Sequence, residues 1–129
     1  MNILNVREYI ETFLKIRTKD GELVPLRLNQ PQDRMYQAVK SQWDAGKPVR
    51  IIVLKARQMG FSTLTEAIIF AITATRFYTD CMIVAHKDEA TANLFRMSLR
   101  YYENLPEPMK PMRKASNAHE LVFDKPAHY

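Results

Sequence analysis

With one cysteine in the whole chain, Cys81, no internal disulfide can form, and a reducing, cytoplasmic compartment fits that usage. Cys81 stands beside Met82, Ile83 and Val84 and reads as a buried small apolar residue. No apolar run approaches the ~20 residues of a membrane-spanning helix. The opening residues, Met-Asn-Ile-Leu-Asn-Val-Arg-Glu, lack a basic stretch followed by an apolar core, so neither a signal peptide nor a membrane partner is expected. There are only 3 glycines, so each is expected where the backbone needs it. His and Cys do not cluster at metal-ligand spacing. No internal repeat or low-complexity segment is visible. No acidic cluster suggests a two-metal nuclease.

What is present is ordinary globular material. The chain has 129 residues, 47% hydrophobic and 26% charged, the size of one domain and enough to hide roughly two-thirds of its unfolded surface. The net charge of +5 suits either a polyanion partner or simply a soluble basic surface.

Val6, Tyr9, Ile10, Phe13, Leu14 and Ile16 recur at helical spacing, which predicts a helix over residues 6–17. Lys19-Asp20-Gly21-Glu22 reads as a turn. Residues 23–28 read as an extended edge segment carrying Pro25. Asn29 or Gln30 precedes Pro31, which suits a first helical turn. That helix continues through Met35, Val39, Gln42 and Trp43 until Gly46 ends it with a left-handed cap. Residues 49–54, with Ile51, Ile52, Val53 and Leu54 in a row, predict a strand buried on both faces. Ser62 or Thr63 is expected to cap a helix reaching residue 77, with Leu64, Ala67, Ile68, Ala71, Ile72 and Thr75 as its inner stripe. Residues 81–85 predict a second buried strand. Asp88 is expected to cap a helix whose apolar positions are Ala92, Leu94, Phe95, Leu99 and Tyr102. A proline-rich connection through Pro106, Pro108 and Pro111 leads to a short strand over residues 120–124. Strand, helix and strand make a β-α-β unit, nearly always right-handed. The expected fold class is α/β with a mostly parallel sheet flanked by helices.

Between the first buried strand and its helix lies Lys55-Ala56-Arg57-Gln58-Met59-Gly60-Phe61-Ser62-Thr63. A phosphate-binding loop usually reads G-x-x-x-x-G-K-[ST]. Here Gly60 and Ser62 hold the second glycine and hydroxyl places, Phe61 stands in the lysine place, and Lys55 in the first glycine place. Such a loop needs inward backbone N–H groups, a helix N-terminus and a cation. Gly60 allows the tight turn, Ser62 can hold Mg²⁺ through its hydroxyl, and Lys55 or Arg57 must supply the charge. The same residues also suit an ordinary strand-to-helix turn with two solvated bases.

The stretch from Val53 to Thr63 resembles the variant Walker A loop of tailed-phage terminase large subunits. In that family an Arg-Gln pair precedes the glycine, and in some members the lysine sits at the start of the loop, as Lys55 does. Asn29-Gln30-Pro31-Gln32 with Tyr36 is similar to the family's adenine-contacting segment. Ile83-Val84-Ala85-His86-Lys87-Asp88-Glu89-Ala90 with Phe95 looks like its next strand-to-helix junction. Leu105-Pro106 and the later Glu-Leu-Val-Phe resemble its subsequent layout. The resemblance spans most of residues 28–123. It implies an ATP-binding, partial P-loop NTPase fold from a viral genome-packaging motor of a bacteriophage or prophage. Residues 1–28 would be an N-terminal helix and edge segment, and residues 29–129 a partial ATPase domain. It implies a nucleotide site of Gln32, Lys55, Arg57, Gln58, Gly60, Phe61, Ser62 and Thr63, with Ser62 on Mg²⁺ and ATP as ligand. Implied partners are double-stranded DNA, the terminase small subunit and the portal protein, in the host cytoplasm.

The motor's Walker B site is an apolar strand ending in Asp and then Glu. Leu121-Val122-Phe123-Asp124 is followed by Lys125 and Pro126 and reads as an ordinary strand. The expectation is therefore a truncated piece with weak or no turnover and an incomplete sheet. Its open edge should be covered by self-association or a partner chain. Met97, Met109 and Met112 suit either such a surface or core filling. A non-enzymatic DNA- or protein-binding module, or a fragment of a helicase-like DNA-stimulated ATPase, are the alternatives. Gln32 can meet adenine or be a solvated first-turn residue. Tyr36 can stack on a base or pack in the core. Arg96, Arg100, Lys110, Arg113 and Lys114 suit DNA phosphates or a solvated face.

Overall fold

Val6, Tyr9, Ile10 and Leu14 are buried along one side of helix α1, Ile3–Phe13, and at its exit, as their three-to-four-residue spacing dictates. The computed structural model describes residues 3–54, 60–76, 79–85, 87–116 and 121–125, the side chains at 3–5, 88, 114–116, 122, 124 and 125 excepted. The helix stops at Phe13, short of the expected residue 17. Lys15–Arg17 instead forms strand β1, antiparallel to β2, Leu23–Pro25, with Ile16 opposite Val24. A cross-strand pair of β-branched residues outweighs one more helical turn here. The turn closes through Thr18, whose N–H donates to Glu22 O at 2.8 Å and whose carbonyl accepts from Gly21 N–H at 2.9 Å.

Helix α2, Gln30–Asp44, begins at Asn29 with a reciprocal capping box. Gln32 N–H donates to Asn29 Oδ1 and Asn29 N–H donates to Gln32 Oε1, each at 2.9 Å. Pro31 sits in the first turn, where its missing N–H costs nothing. The helix ends as expected at Gly46, φ 71°. Lys47 N–H donates to Gln42 O and Gly46 N–H to Trp43 O, both at 3.0 Å. These two bonds make a Schellman cap.

Helix α3, Phe61–Thr75, is the centre of the molecule and lies against α1, α2 and α4, Asp88–Glu103. Leu64, Ala67, Ile68, Phe70, Ala71 and Ala74 are buried. Its threonines remain helical by returning their hydroxyls to the preceding turn, as Thr65 does to Phe61 O and Thr73 to Ile69 O, both at 2.8 Å. On α4 the deepest apolar residues are Tyr101 and Tyr102. A short 3₁₀ turn, Glu107–Met109, leads into an antiparallel pair, β3 Met112–Ser116 and β4 Leu121–Lys125. Phe123 of β4 stacks on Tyr102, with ring centroids 5.5 Å apart, and meets Phe70 edge-on. The strand expected over residues 120–124 is therefore present. Its partner β3 was not expected.

Among the described residues both sheets are antiparallel pairs. Residues 49–54 and 81–85, expected as buried parallel strands, belong to neither. Their burial alternates. Ile51 and Val53 are half-buried while Ile52 and Leu54 are 92% and 96% exposed, and Met82 and Val84 are 84% and 81% exposed around a half-buried Ile83. A period of two is what an extended segment shows when one face only is covered. Cys81 is exposed, not buried, because it lies at the uncovered start of the second segment. Its sulfur lies 3.1 Å from Thr73 Oγ1, whose one proton goes to Ile69 O.

Candidate functional site

Gly60 opens α3 in a left-handed conformation, φ 79° and ψ 17°. Of the other loop residues singled out from the sequence, Phe61, Ser62 and Thr63 form the first turn of α3 and are half-buried. Lys55, Arg57 and Gln58 lie outside the described residues, as does His86. The expected cap, Ser62 or Thr63, is replaced by Gly60, which provides no side-chain cap bond. The left-handed glycine turns the chain into the helix earlier than a hydroxyl cap would. The contrast with α2, closed by its capping box, is direct.

The first turn of α3 is held from two sides. From α2, Gln32 Nε2 donates to Gly60 O at 2.9 Å. From α4, the Tyr101 hydroxyl donates to Thr63 O at 3.0 Å. The structure thus brings Gln32, Gly60 and Thr63 together. Gln32 is 4% exposed, so it is no solvated first-turn residue. Asn29 shares this corner, its side chain within 3.7 Å of where a Cβ on Gly60 would lie.

Tyr36 packs in the core at 1% exposure, and its hydroxyl accepts from Arg7 N–H at 3.2 Å. Arg7 in turn pairs with Glu11 at 2.9 Å and with Asp33, fastening α1 to the first turn of α2. Glu11 also accepts Leu28 N–H at 3.3 Å.

Glu66 was not singled out from the sequence. It lies one turn beyond Ser62 on α3, is 2% exposed, and accepts a hydrogen bond from Ser98 Oγ at 2.8 Å. Burial pushes its carboxyl above the ordinary range, and the Ser98 bond offsets this in part. The neighbouring Tyr101 phenol is pushed up by burial and by the negative charge of Glu66. The legible signal was a glutamate standing inside the apolar run from Leu64 to Ala74.

The basic residues near the C-terminal half are partly engaged within the fold. Lys110 pairs with Glu107 at 3.0 Å, and Lys110 and Arg113 lie 5.7 and 5.2 Å from the centre of the Tyr102 ring. Arg96 donates to Asn93 at 2.7 Å. Met97 and Met109 pack against the core, and Met112 is exposed. Among the described residues no helix is long and apolar enough to cross a membrane, and no three His, Cys, Asp or Glu side chains gather as metal ligands. Comparison with known protein families, with curated proteins and with solved structures finds no match.

Proposed function

We propose that residues 55–63 bind the phosphates of ATP with Mg²⁺, in a chain that resembles the N-terminal part of a terminase large-subunit ATPase domain. The observation that carries this reading is Gly60, left-handed and without a side chain, at the N-cap of a 15-residue helix. The amide donors and partial positive charge of such a helix end favour an anion. Lys55 and Arg57 are the cations of this reading, and Ser62 its metal-binding hydroxyl. ATP bound with Mg²⁺ would supply a charged triphosphate at the loop, and the chain's own part is to hold and orient it. This sequence has no apolar run ending in paired carboxylates, so the reading is nucleotide binding with little or no turnover.

A fluorescent ATP analogue titrated with Mg²⁺ tests it. Lys55→Ala is expected to weaken binding about tenfold or more, the loss of one charge-assisted contact. Equal binding by both proteins removes Lys55 from the site. No binding by the wild-type chain removes the reading.

The net charge of +5 and the exposed Ile52, Leu54, Met82 and Val84 favour a second reading, a non-enzymatic module that meets DNA through its basic residues or another protein through the apolar ones. It predicts DNA affinity that falls with salt and ignores nucleotide. DNA binding strengthened by ATP would favour the first reading.

A further inference from the structure

Both functional atoms of the Gln32 side chain are committed inside the protein. The amide oxygen accepts from Asn29 N–H and the amide nitrogen donates to Gly60 O, each at 2.9 Å. The Gly60 carbonyl also accepts the first intrahelical bond of α3, from Leu64 N–H at 3.0 Å. One oxygen therefore carries both the start of α3 and a link to α2, across 28 residues of sequence. The approach means that a side chain at residue 60 would push the Gln32 amide aside. A Cβ there would lie 2.5 Å from Gln32 Nε2 and 3.2 Å from its Cδ. Gly60 is favoured by its φ of 79°, and its missing side chain lets the amide seat against it.

We infer that Gln32 is a positioning residue for the phosphate loop, one that latches the loop's glycine to the N-terminus of α2 and sets the direction of the first turn of α3 before any ligand arrives. The inference rests on the phosphate-binding reading of residues 55–63, but the latch belongs to the ligand-free chain. A prearranged helix end lowers the ordering cost of binding. Its loss weakens every ligand held by its phosphates, whatever the base. A glutamine that reads adenine would instead lose only the preference for ATP.

Two variants separate the functions of the amide. Gln32→Glu keeps an oxygen for Asn29 N–H, since glutamate serves equally in a capping box. It loses the donor to Gly60 O. Gln32→Met removes both bonds without adding charge near the phosphates. Amide hydrogen exchange on the ligand-free protein reads the latch. In Gln32→Glu, the Leu64 amide is expected to exchange about fivefold faster or more, with the Asp33 amide in α2 unchanged. Binding of ATP, GTP and inorganic tripolyphosphate to Gln32→Met reads the consequence, expected as one common loss of about tenfold. Unchanged Leu64 exchange overturns the latch. Weakened ATP with unchanged tripolyphosphate also overturns the inference and makes Gln32 a base contact. Should the wild-type chain bind none of the three ligands, the phosphate reading falls, while exchange at Leu64 still supports or overturns the latch by itself.

Discussion

Glu66 reaches from α3 toward α4, where Ser98 Oγ donates to its carboxylate at 2.8 Å. Tyr101 faces it from the same helix, and burial first, then the Glu66 charge, pushes its phenol further above its ordinary value. An unfolded chain loses the Glu66 proton near 4.5, whereas burial makes the folded protein keep it to higher pH. Above about 4.5 the folded state therefore binds more protons than the unfolded one, and stability falls as pH rises toward the raised folded value, then levels. Glu66→Gln keeps an acceptor for Ser98 and has no proton to lose. Its Tm should exceed that of the wild type at pH 7, and the gap should shrink by about 3 °C or more at pH 4. Thermal melts at the two pH values check this, and an unchanging gap would show that the fold does not raise the Glu66 carboxyl. A sequence reading finds an acidic residue in an apolar stripe. It does not find Ser98, 32 residues away, whose hydroxyl makes burial tolerable.

Helix α2 was legible through Pro31 in its first turn and Gly46 at its end, because these signals are local; its capping box was not read. Asn29, Pro31 and Gln32 lie within four residues of one another, and Gly46 follows the last apolar position. Asn29→Ala should cost about 1 kcal/mol in urea unfolding, and Asn29→Asp should cost much less, because aspartate still accepts the Gln32 N–H. Equal loss in both variants would mean that the Asn29 amide nitrogen, not its oxygen, matters. Helix α3 was legible in its body and misread at its start. Ser62 and Thr63 are good caps by type, yet Gly60 takes the place with a distant glutamine seated against it. The end of α1 was misread for a related reason. Ile16 fits a helical stripe, and only the presence of Val24 across the hairpin decides for a strand.

At the scale of the whole molecule, the described residues form four helices and two antiparallel pairs, with α1, α2 and α4 packed on α3 and two apolar segments covered on one face only. Ile52 and Leu54 remain in water, so they contribute almost nothing to the burial term. Replacing both with threonine should leave the urea midpoint within about 0.3 M of the wild type and should lower binding of an apolar dye. A large drop in the midpoint would mean that these side chains are buried in solution. Sequence by itself determined what depends on neighbours along the chain: the four helices, Pro31 in the first turn of α2, the cap at Gly46, and the turn at Asp20-Gly21. Tertiary structure decided what depends on groups brought from afar. An apolar run such as residues 49–54 states only that burial is favourable; whether it becomes a strand depends on another strand supplying N–H and C=O partners. Gly60 announced a turn in the sequence, but its direction is set by the Gln32 amide and the Tyr101 hydroxyl, which reach the first turn of α3 only after α2 and α4 have packed against it.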